Sequence, residues 1–421
     1  MPKLTNDRTD FSWTFAAFGA VGLSGLVINQ VVATQFGVTS LGRYNMLLAV
    51  VIIGGQVGAM GIHSSVLFHT PKARSEGNPT SEVICSGVFA TVLTSAVVSS
   101  SIYVGGEIIL RSTNNFYYLD GLRAITIGLF LFPINKTLLA HLNGLQRIPI
   151  FSILFSGRFI LLAATAVAVT YNFDNDQLLP WTITAAEGVI FVGLVFANQS
   201  EIKGLIHWRK MRGMFKRHLR YGFKGFLGTT LLDLNTRLDI ILLGLISGSR
   251  SVGIYSIASL FAEGLYQAAA VPRYNFDPVV TNLFVQNKLG ELQDVIKLAK
   301  RKIYLFAVPI VALCNLLYPI IVKILFSKEL ANESWPVFLI LSLGVGISAG
   351  YIPFTNLLQQ SGFPGHQSIL LVGMTITNLS LNIVLIPIFG IKGAALATAI
   401  SWISLIFYLR RLSNPILGFK V

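Results

Sequence analysis

Apolar blocks, each about as long as the 20 residues that an α-helix needs to cross a bilayer, follow one another along nearly the whole chain. Hydrophobic residues make up 53% of the sequence and charged residues only 12%, about half the charged share of a soluble domain. Segments of alternating polarity, which are typical of a membrane β-barrel, are absent. The sequence therefore predicts an all-α, polytopic membrane protein.

We predict twelve membrane spans, an even number that puts both termini on the same side. The first block is too long for the apolar core of a signal peptide and lacks a clear cleavage site, so we expect a retained helix. The predicted spans are roughly 12–34, 44–68, 83–105, 122–141, 148–170, 179–199, 221–247, 252–275, 303–326, 335–357, 368–389 and 391–409.

Basic residues orient the predicted topology. The side that holds the termini carries 20 Lys and Arg residues and the opposite side carries 6, which makes the first side cytoplasmic. The basic run 207–220 is then a topology signal, so the net charge of +14 does not indicate nucleic-acid binding, although contact with lipid headgroups is an alternative. Helical charge spacing in the cytoplasmic connection 276–302 predicts a surface helix. The longest exterior loop is expected over 106–121.

A short motif recurs at half-chain distance. The run LGRY over 41–44 starts the second span, and VGIY over 252–255 starts the eighth, an offset of 253 − 42 = 211 residues. Because duplicated halves with a substrate site between them are a recurrent transporter plan, we expect two six-helix bundles around a central cavity. The predicted division is an N-terminal half, 1–199, a basic cytoplasmic linker, 200–220, and a C-terminal half, 221–421.

The seventh span, 221–247, opens the second half and carries unusual charges. It is apolar enough to cross a membrane, yet it contains Lys224, Asp233, Arg237 and Asp239. Charges inside a bilayer are costly and usually functional. Asp233 and Arg237 are four residues apart, so mutual neutralisation is an alternative to a role in transport.

Three charges lie far from both ends of their predicted spans. Arg158 is about 15 Å into the fifth span, and Arg237 and Glu263 lie at similar depths in the seventh and eighth. Arg158 has no acid within its own span, so it needs a partner on another helix, a water molecule or an anionic ligand. A guanidinium group can bind a phosphate through two hydrogen bonds. Two such groups deep in the membrane, on Arg158 and Arg237, therefore indicate a substrate that carries a phosphate or diphosphate.

Other ionisable residues complete the candidate set. The cations Lys136, Lys224 and Arg273 lie toward the cytoplasmic ends of their spans, where they either contact the substrate or extend to the membrane surface. The acids Glu187, Asp233, Asp239 and Glu263 are candidates to take up a proton or hold a coupling cation.

No enzyme or metal motif accompanies these charges. The chain has no HExxH, Walker A or GxSxG run and no cluster of metal ligands, so we expect no cofactor and no catalytic activity. Without an ATP-binding segment, uphill transport would need H⁺, Na⁺ or a partner protein.

Several runs, taken together and in order, resemble the Wzx-type flippases of polysaccharide biosynthesis, within the multidrug/oligosaccharidyl-lipid/polysaccharide exporter superfamily. The similarity covers essentially the whole chain. The runs are LNTRLD over 234–239, LLG over 242–244, VGIYSIA over 252–258, NIVLIP over 382–387, GIKGAA over 390–395 and AT over 397–398.

The resemblance implies two six-helix bundles that face a cationic cavity. It implies export of an undecaprenyl-diphosphate-linked oligosaccharide, such as an O-antigen repeat of lipopolysaccharide, across the bacterial inner membrane, with a polysaccharide polymerase as a partner. Arg237 and Asp239 match the Arg and Asp of the family's seventh helix. Asn29 and Gln30 stand in the first helix, where lipid II flippases typically carry a basic residue, which argues against that subfamily.

Two rival functions remain open. A Na⁺- or H⁺-coupled small-molecule exporter would have the same fold, and a membrane enzyme such as a glycan polymerase or ligase is a rival of another class. Short exterior loops disfavour the enzyme. An anionic substrate is favoured by six cations within the spans: Lys136, Arg158, Lys224, Arg237, Arg273 and Lys323.

Overall fold

The computed structural model describes residues 7–202, 211–223, 237–419 and 421. Every regular element within these ranges is helical. The predicted site residues Lys224 and Asp233 lie outside the described residues.

The chain divides into two compact units. The first unit comprises 1–37 with 46–233, and the second comprises 38–45 with 234–421. The predicted halves and the linker between them remain a prediction.

The first unit contains nine helices or parts of helices in its described residues. They are α1 (Asp7–Gln35), α2 (Val38–Ala59, from residue 46 onward), α3 (Ile62–Ser75), α4 (Thr80–Ser112), α5 (Phe116–Gly144), α6 (Ile148–Asn172), α7 (Leu179–Ala197), α8 (Gln199–Ile202) and α9 (211–223).

The second unit adds the start of α2 to the C-terminal helices. These are α10 (Leu238–Ser247), α11 (Ser249–Ala270), α12 (Arg273–Val285), α13 (Leu289–Leu325), α14 (Lys328–Ser348), α15 (Leu357–Gln360), α16 (Pro364–Phe389) and α17 (Ile391–Leu417).

Several helix starts follow from local sequence. α6, α7 and α16 carry a proline in their first two positions, where the missing N–H group costs nothing and the fixed φ suits a helix. α14 begins after Ser327, whose side chain accepts a hydrogen bond from the Leu330 amide at 3.1 Å.

Ten helices in the described ranges are long and apolar enough to cross a membrane, and the prediction of an all-α polytopic membrane protein is confirmed. The total of twelve spans stays a prediction. The lipid-facing character is clearest on α13, where Leu305, Leu316 and Ile324 are each about 70% exposed. The candidate spans are Ala16–Gln35, Val38–Ala59, Thr80–Ser112, Phe116–Gly144, Ile148–Asn172, Asp176–Ala197, Leu289–Leu325, Lys328–Ser348, Pro364–Phe389 and Ile391–Leu417.

The second predicted span, 44–68, is wrong at its C-terminal end. α2 stops before Met60 and Gly61, which adopt left-handed φ values of 46° and 70°, and α3 begins as a separate helix. A Cβ atom on Gly61 would lie 2.6 Å from the carbonyl oxygen of Gly222 in α9. The break therefore depends on a tertiary contact that helical periodicity does not reveal.

Two loop predictions are also corrected. Residues 106–121 are not a loop, since α4 runs to Ser112 and α5 begins at Phe116. The predicted surface helix in 276–302 is not a separate element. Its charged residues form the first turns of α13, a single helix of 37 residues that continues into the predicted ninth span.

The repeated motifs adopt the same local structure. α2 follows Gly37 (φ 85°, ψ 164°), and α11 follows Gly248 (φ 81°, ψ 170°). Both helices therefore begin after a glycine with the same positive-φ conformation. Tyr44 and Tyr255, the last residues of the two motifs, are both fully buried. The offset of 211 residues is therefore also a structural equivalence at these two helix starts.

The motif glycines make reciprocal contacts within the second unit. A Cβ atom on Gly42 would lie 1.7 Å from the carbonyl oxygen of Ser249, and one on Gly253 would lie 2.0 Å from that of Val38. Only residues without a side chain allow the two backbones to approach this closely.

The helix α9 is anchored to the first unit by His218, which is fully buried. Its Nε2–H donates to the carbonyl oxygen of Val83 at 3.1 Å, and its Nδ1 accepts from the Ser65 hydroxyl at 2.8 Å. Burial, assisted by the neighbouring His69, lowers the pKa of His218 from 6.5 to about 4. The imidazole is therefore neutral in the folded protein.

We predict that Gly253→Ala lowers the stability of the protein by roughly 1–3 kcal/mol, because the added methyl group overlaps the Val38 carbonyl. Thermal unfolding of the purified protein in detergent measures the change. Gly264→Ala is the matched control on the same helix, since a Cβ atom there meets nothing within 4 Å. Equal melting temperatures for the two variants would contradict the predicted clash.

We also predict that His218 makes stability depend on pH. Its folded pKa of about 4 lies below the unfolded value of 6.5, so the unfolded chain binds a proton more readily between these values. Stability then declines as pH falls from 6.5 toward 4, by up to about 1.4 kcal/mol per pH unit for this one group.

The measurement is the melting temperature as a function of pH, compared between wild type and His218→Gln. The glutamine keeps a donor and an acceptor but does not titrate, so its curve should be flatter. His366→Gln, at an exposed histidine, should keep the wild-type slope. An unchanged slope in His218→Gln would refute the assignment.

Candidate functional site

A buried polar network in the second unit centres on Asp239, which lies in the first turn of α10. One carboxylate oxygen accepts a hydrogen bond from the Ile240 amide at 2.8 Å. The other accepts from the Tyr255 hydroxyl and from Thr398 Oγ1, the latter at 3.2 Å. A single acid thereby links α10 to α11 and α17.

The network continues onto α16. Asn378 donates to Thr398 Oγ1 at 3.4 Å, and Asn382 donates to Asn378 Oδ1 at 3.0 Å. Both asparagines are fully buried on one face of α16, and Asn382 Oδ1 has no hydrogen-bond partner among the described residues. Sequence reasoning missed this pair, although two asparagines four residues apart in an apolar span are a signal for it.

Arg237 and Glu263 lie in the electrostatic reach of Asp239. Glu263, on α11, interacts with both Arg237 and Asp239. Arg237 immediately precedes α10 and is half-buried. The structure thus brings together three of the predicted site residues, and their combined formal charge is −1.

Both carboxylate oxygens of Asp239 already accept hydrogen bonds. Among the described residues there is no group of three or more His, Cys, Asp and Glu side chains that could hold a metal ion. A carboxylate can take up a proton, and a proton on Asp239 would change the hydrogen bonds that its oxygens accept.

In the first unit, Arg158 is paired with Glu187. Arg158 Nε lies 2.9 Å from Glu187 Oε1, and both side chains are buried. Asn135 donates to the other Glu187 oxygen at 2.8 Å, and the guanidinium group lies 4.5 Å from the ring centre of Phe132. The sequence leaves three possible partners for Arg158: a residue on another helix, a water molecule or an anionic ligand. In the structure the partner is Glu187, an acid on another helix.

The ion pair joins Arg158, a residue predicted to bind the substrate, to Glu187, a residue predicted to bind the coupling ion. It links α6 to α7, and Asn135 adds α5. The charge of Arg158 is compensated inside the unit, which is what a structural role requires. Arg158 Nη2 has no hydrogen-bond partner among the described residues.

The structure also gives contacts for Lys136 and Arg273. Lys136 Nζ donates to Gln56 Oε1 at 2.6 Å, and Lys136 also acts electrostatically on His63. Arg273 is the first residue of α12, is half-buried and acts electrostatically on Tyr266.

We predict that Glu187→Gln destabilises the protein by roughly 3–5 kcal/mol, because it leaves the buried Arg158 without a counter-charge. The double variant Arg158→Met, Glu187→Gln should recover part of the loss, since it removes the unpaired charge. Thermal unfolding in detergent of these two variants, of Arg158→Met alone and of the wild type gives the coupling between the two residues.

The control is the exposed ion pair between Arg250 and Glu333, whose nitrogen and oxygen lie 2.8 Å apart. Arg250→Gln should change stability by less than about 1 kcal/mol. Additive losses from the two substitutions at 158 and 187 would argue against a coupled pair.

One family model matches residues 8–269 of the chain, and its description is "Polysaccharide biosynthesis protein". With 269 − 8 + 1 = 262 of 421 residues, the match covers more than half of the sequence.

Two curated relatives come from Haloferax volcanii. "Probable flippase AglR" is 24% identical over 386 residues, which are 90% of this chain and 77% of the relative. "Probable low-salt glycan biosynthesis flippase Agl15" is 24% identical over 390 residues, which are 88% of this chain and 74% of the relative.

Among solved structures, the fold is similar to that of the lipid II flippase MurJ in an inward closed conformation. The TM-score is 0.78 and the identity 16%, over 96% of this chain and 87% of that chain. At this identity the likeness is one of fold.

Proposed function

Because the chain belongs to the polysaccharide biosynthesis protein family, we propose that it is a flippase that moves a lipid-linked glycan across a membrane. The observation that carries the proposal is the family match over residues 8–269. Two relatives that align with most of the chain are named as flippases, one of them in glycan biosynthesis. The membrane-spanning helices supply the physical setting that such transport needs.

We further propose that the substrate is an undecaprenyl-diphosphate-linked oligosaccharide, carried across a bacterial inner membrane with both termini in the cytoplasm. The diphosphate needs cations that are not already neutralised by a neighbouring carboxylate. Arg158 fits this poorly because Glu187 compensates it, so we assign it a positioning role. The predicted contacts of the diphosphate remain Lys136, Arg237, Arg273 and Lys224.

We propose that Asp239 is the ion-coupling residue and that the ion is H⁺ or Na⁺. A cation bound there competes with the hydrogen bonds from Tyr255 and Thr398 and so changes how α10 is held to α11 and α17. Glu263 adds a second acid beside the first. Binding energy at this site can thus bias a helix arrangement, which is what ion-coupled alternating access requires.

Complementation of a flippase-null strain tests the proposal. Wild-type protein should restore lipid-linked glycan on the outer leaflet, scored by a glycan-modifying enzyme that cannot cross the membrane. The small-molecule exporter of the same fold predicts instead unchanged glycan and increased resistance to cationic drugs. That second outcome, in cells where the protein reaches the membrane, would overturn the flippase assignment.

Site variants sharpen the same assay. Lys136→Gln should lower transport about tenfold or more, as expected for loss of a charged hydrogen bond to phosphate. Lys328→Gln, at an exposed cation at the start of α14, is its control. Asp239→Asn should abolish the response to an imposed ion gradient, whereas Asp120→Asn, at an exposed acid, should keep it. Equal transport by each variant and its control would remove these residues from the mechanism.

A further inference from the structure

A surface groove runs along one face of α17, near its C-terminal end. It is a shallow depression that is largely open to its surroundings, with a volume of about 460 Å³. The lining residues recur at helical spacing, so they form one stripe: Ile403, Ile406, Phe407, Arg410, Arg411 and Asn414. The first three are apolar and the next two are arginines, which makes the groove amphiphilic along its length.

The charged end of the groove is organised around Tyr351. The Tyr351 hydroxyl accepts hydrogen bonds from Arg410 Nη2 and from Lys300 Nζ, the latter at 3.2 Å. Both cations also lie over its ring, with Lys300 Nζ 4.4 Å and the Arg410 guanidinium carbon 5.2 Å from the ring centre. Tyr351 itself is buried, so one phenol holds two cations from different helices, α13 and α17, in fixed positions.

Arg410 has a second partner in this cluster, since its Nε donates to the main-chain oxygen of Val421 at 3.0 Å. In the part of the chain that the structure describes, no Asp or Glu forms an ion pair with Lys300, Arg410 or Arg411. Two cations that share one phenol repel each other, and an anion between them would relieve the repulsion. Because the side chains are already held in place, such an anion would bind with little further ordering cost.

The location decides what kind of anion fits. α17 is one of the candidate membrane spans, and the arginines lie toward its end, at the depth where lipid headgroups meet the hydrocarbon. Phe407, one turn before Arg411, is 64% exposed and offers an apolar surface to a chain beside it. A free phosphate would not use this surface, and a neutral lipid would not use the cations.

We propose that this groove binds one anionic phospholipid. Arg410 and Arg411 hold its phosphate, with Lys300 contributing charge, and Ile403, Ile406 and Phe407 contact its acyl chain. The site lies within the second unit and does not depend on the proposed transport activity.

Native mass spectrometry of the full-length protein, with phosphatidylglycerol or phosphatidylcholine added in detergent, tests the proposal. Phosphatidylglycerol should bind in a one-to-one complex and much more tightly than phosphatidylcholine. Arg410→Gln with Arg411→Gln should weaken it by roughly 25-fold, about fivefold for each charge near a lipid headgroup. Arg301→Gln with Lys302→Gln removes the same charge from an exposed neighbouring surface and should leave binding unchanged.

A second pair of variants tests the groove. Phe407→Ser, at an exposed residue that folding does not require, should weaken phosphatidylglycerol binding, whereas Phe389→Ser on α16 should not. Inorganic phosphate and a polyprenyl phosphate serve as competitors.

Equal binding by the arginine variant and its control would overturn the site, as would equal binding of the two phospholipids. Displacement by inorganic phosphate at lipid-like concentrations would show a headgroup-sized anion site instead. Preferential binding of polyprenyl phosphate would replace the phospholipid by a lipid of the substrate class. None of these measurements depends on glycan transport. The lipid site can therefore be refuted without refuting the proposed function, and the reverse also holds.

Discussion

Inside a membrane there is no water to hydrogen-bond a charged or polar side chain. Such a side chain must therefore pair with a group on another helix. In the first unit, Glu187 on α7 accepts a hydrogen bond from Asn135 on α5 and forms an ion pair with Arg158 on α6. In the second, Asp239 on α10 accepts hydrogen bonds from side chains on α11 and α17. Among the described residues, Glu187 and Asp239 are each a buried acid whose partners join three helices of its unit. Between apolar helices in lipid, such directional contacts define the packing more sharply than hydrophobic burial does.

These two acids differ in a way that bears on transport. Glu187 faces a guanidinium group, so its charge is balanced whatever else binds. Asp239 accepts hydrogen bonds from two hydroxyl groups and from its own helix start, and Arg237 and Glu263 act on it electrostatically. The formal charges of Asp239, Glu263 and Arg237 sum to −1, whereas those of Glu187 and Arg158 sum to zero. In the proposed mechanism this net negative charge favours the second unit as the place where a coupling cation acts.

The sequence was sufficient to predict the helical membrane fold, because each apolar block carries its own length and polarity. It also predicts which charges lie far from the ends of their spans, since depth follows from position within a block. It did not reveal that Arg158 pairs with Glu187, because partners on different helices have no fixed spacing. The break after α2 was missed for a similar reason. Met60 adopts a left-handed conformation that its own residue type disfavours, and only the contact of Gly61 with α9 explains it.

The reciprocal glycine contact follows the rule of a symmetric interface. Gly42 approaches the backbone of Ser249, and Gly253 approaches that of Val38. Val38 and Ser249 are themselves equivalent under the 211-residue offset. In a two-fold symmetric dimer, a residue of one subunit contacts a partner residue of the other, and the equivalent pair makes the same contact in reverse. The two copies of the motif meet in this way inside one chain, so the same steric requirement for glycine applies twice at a single contact.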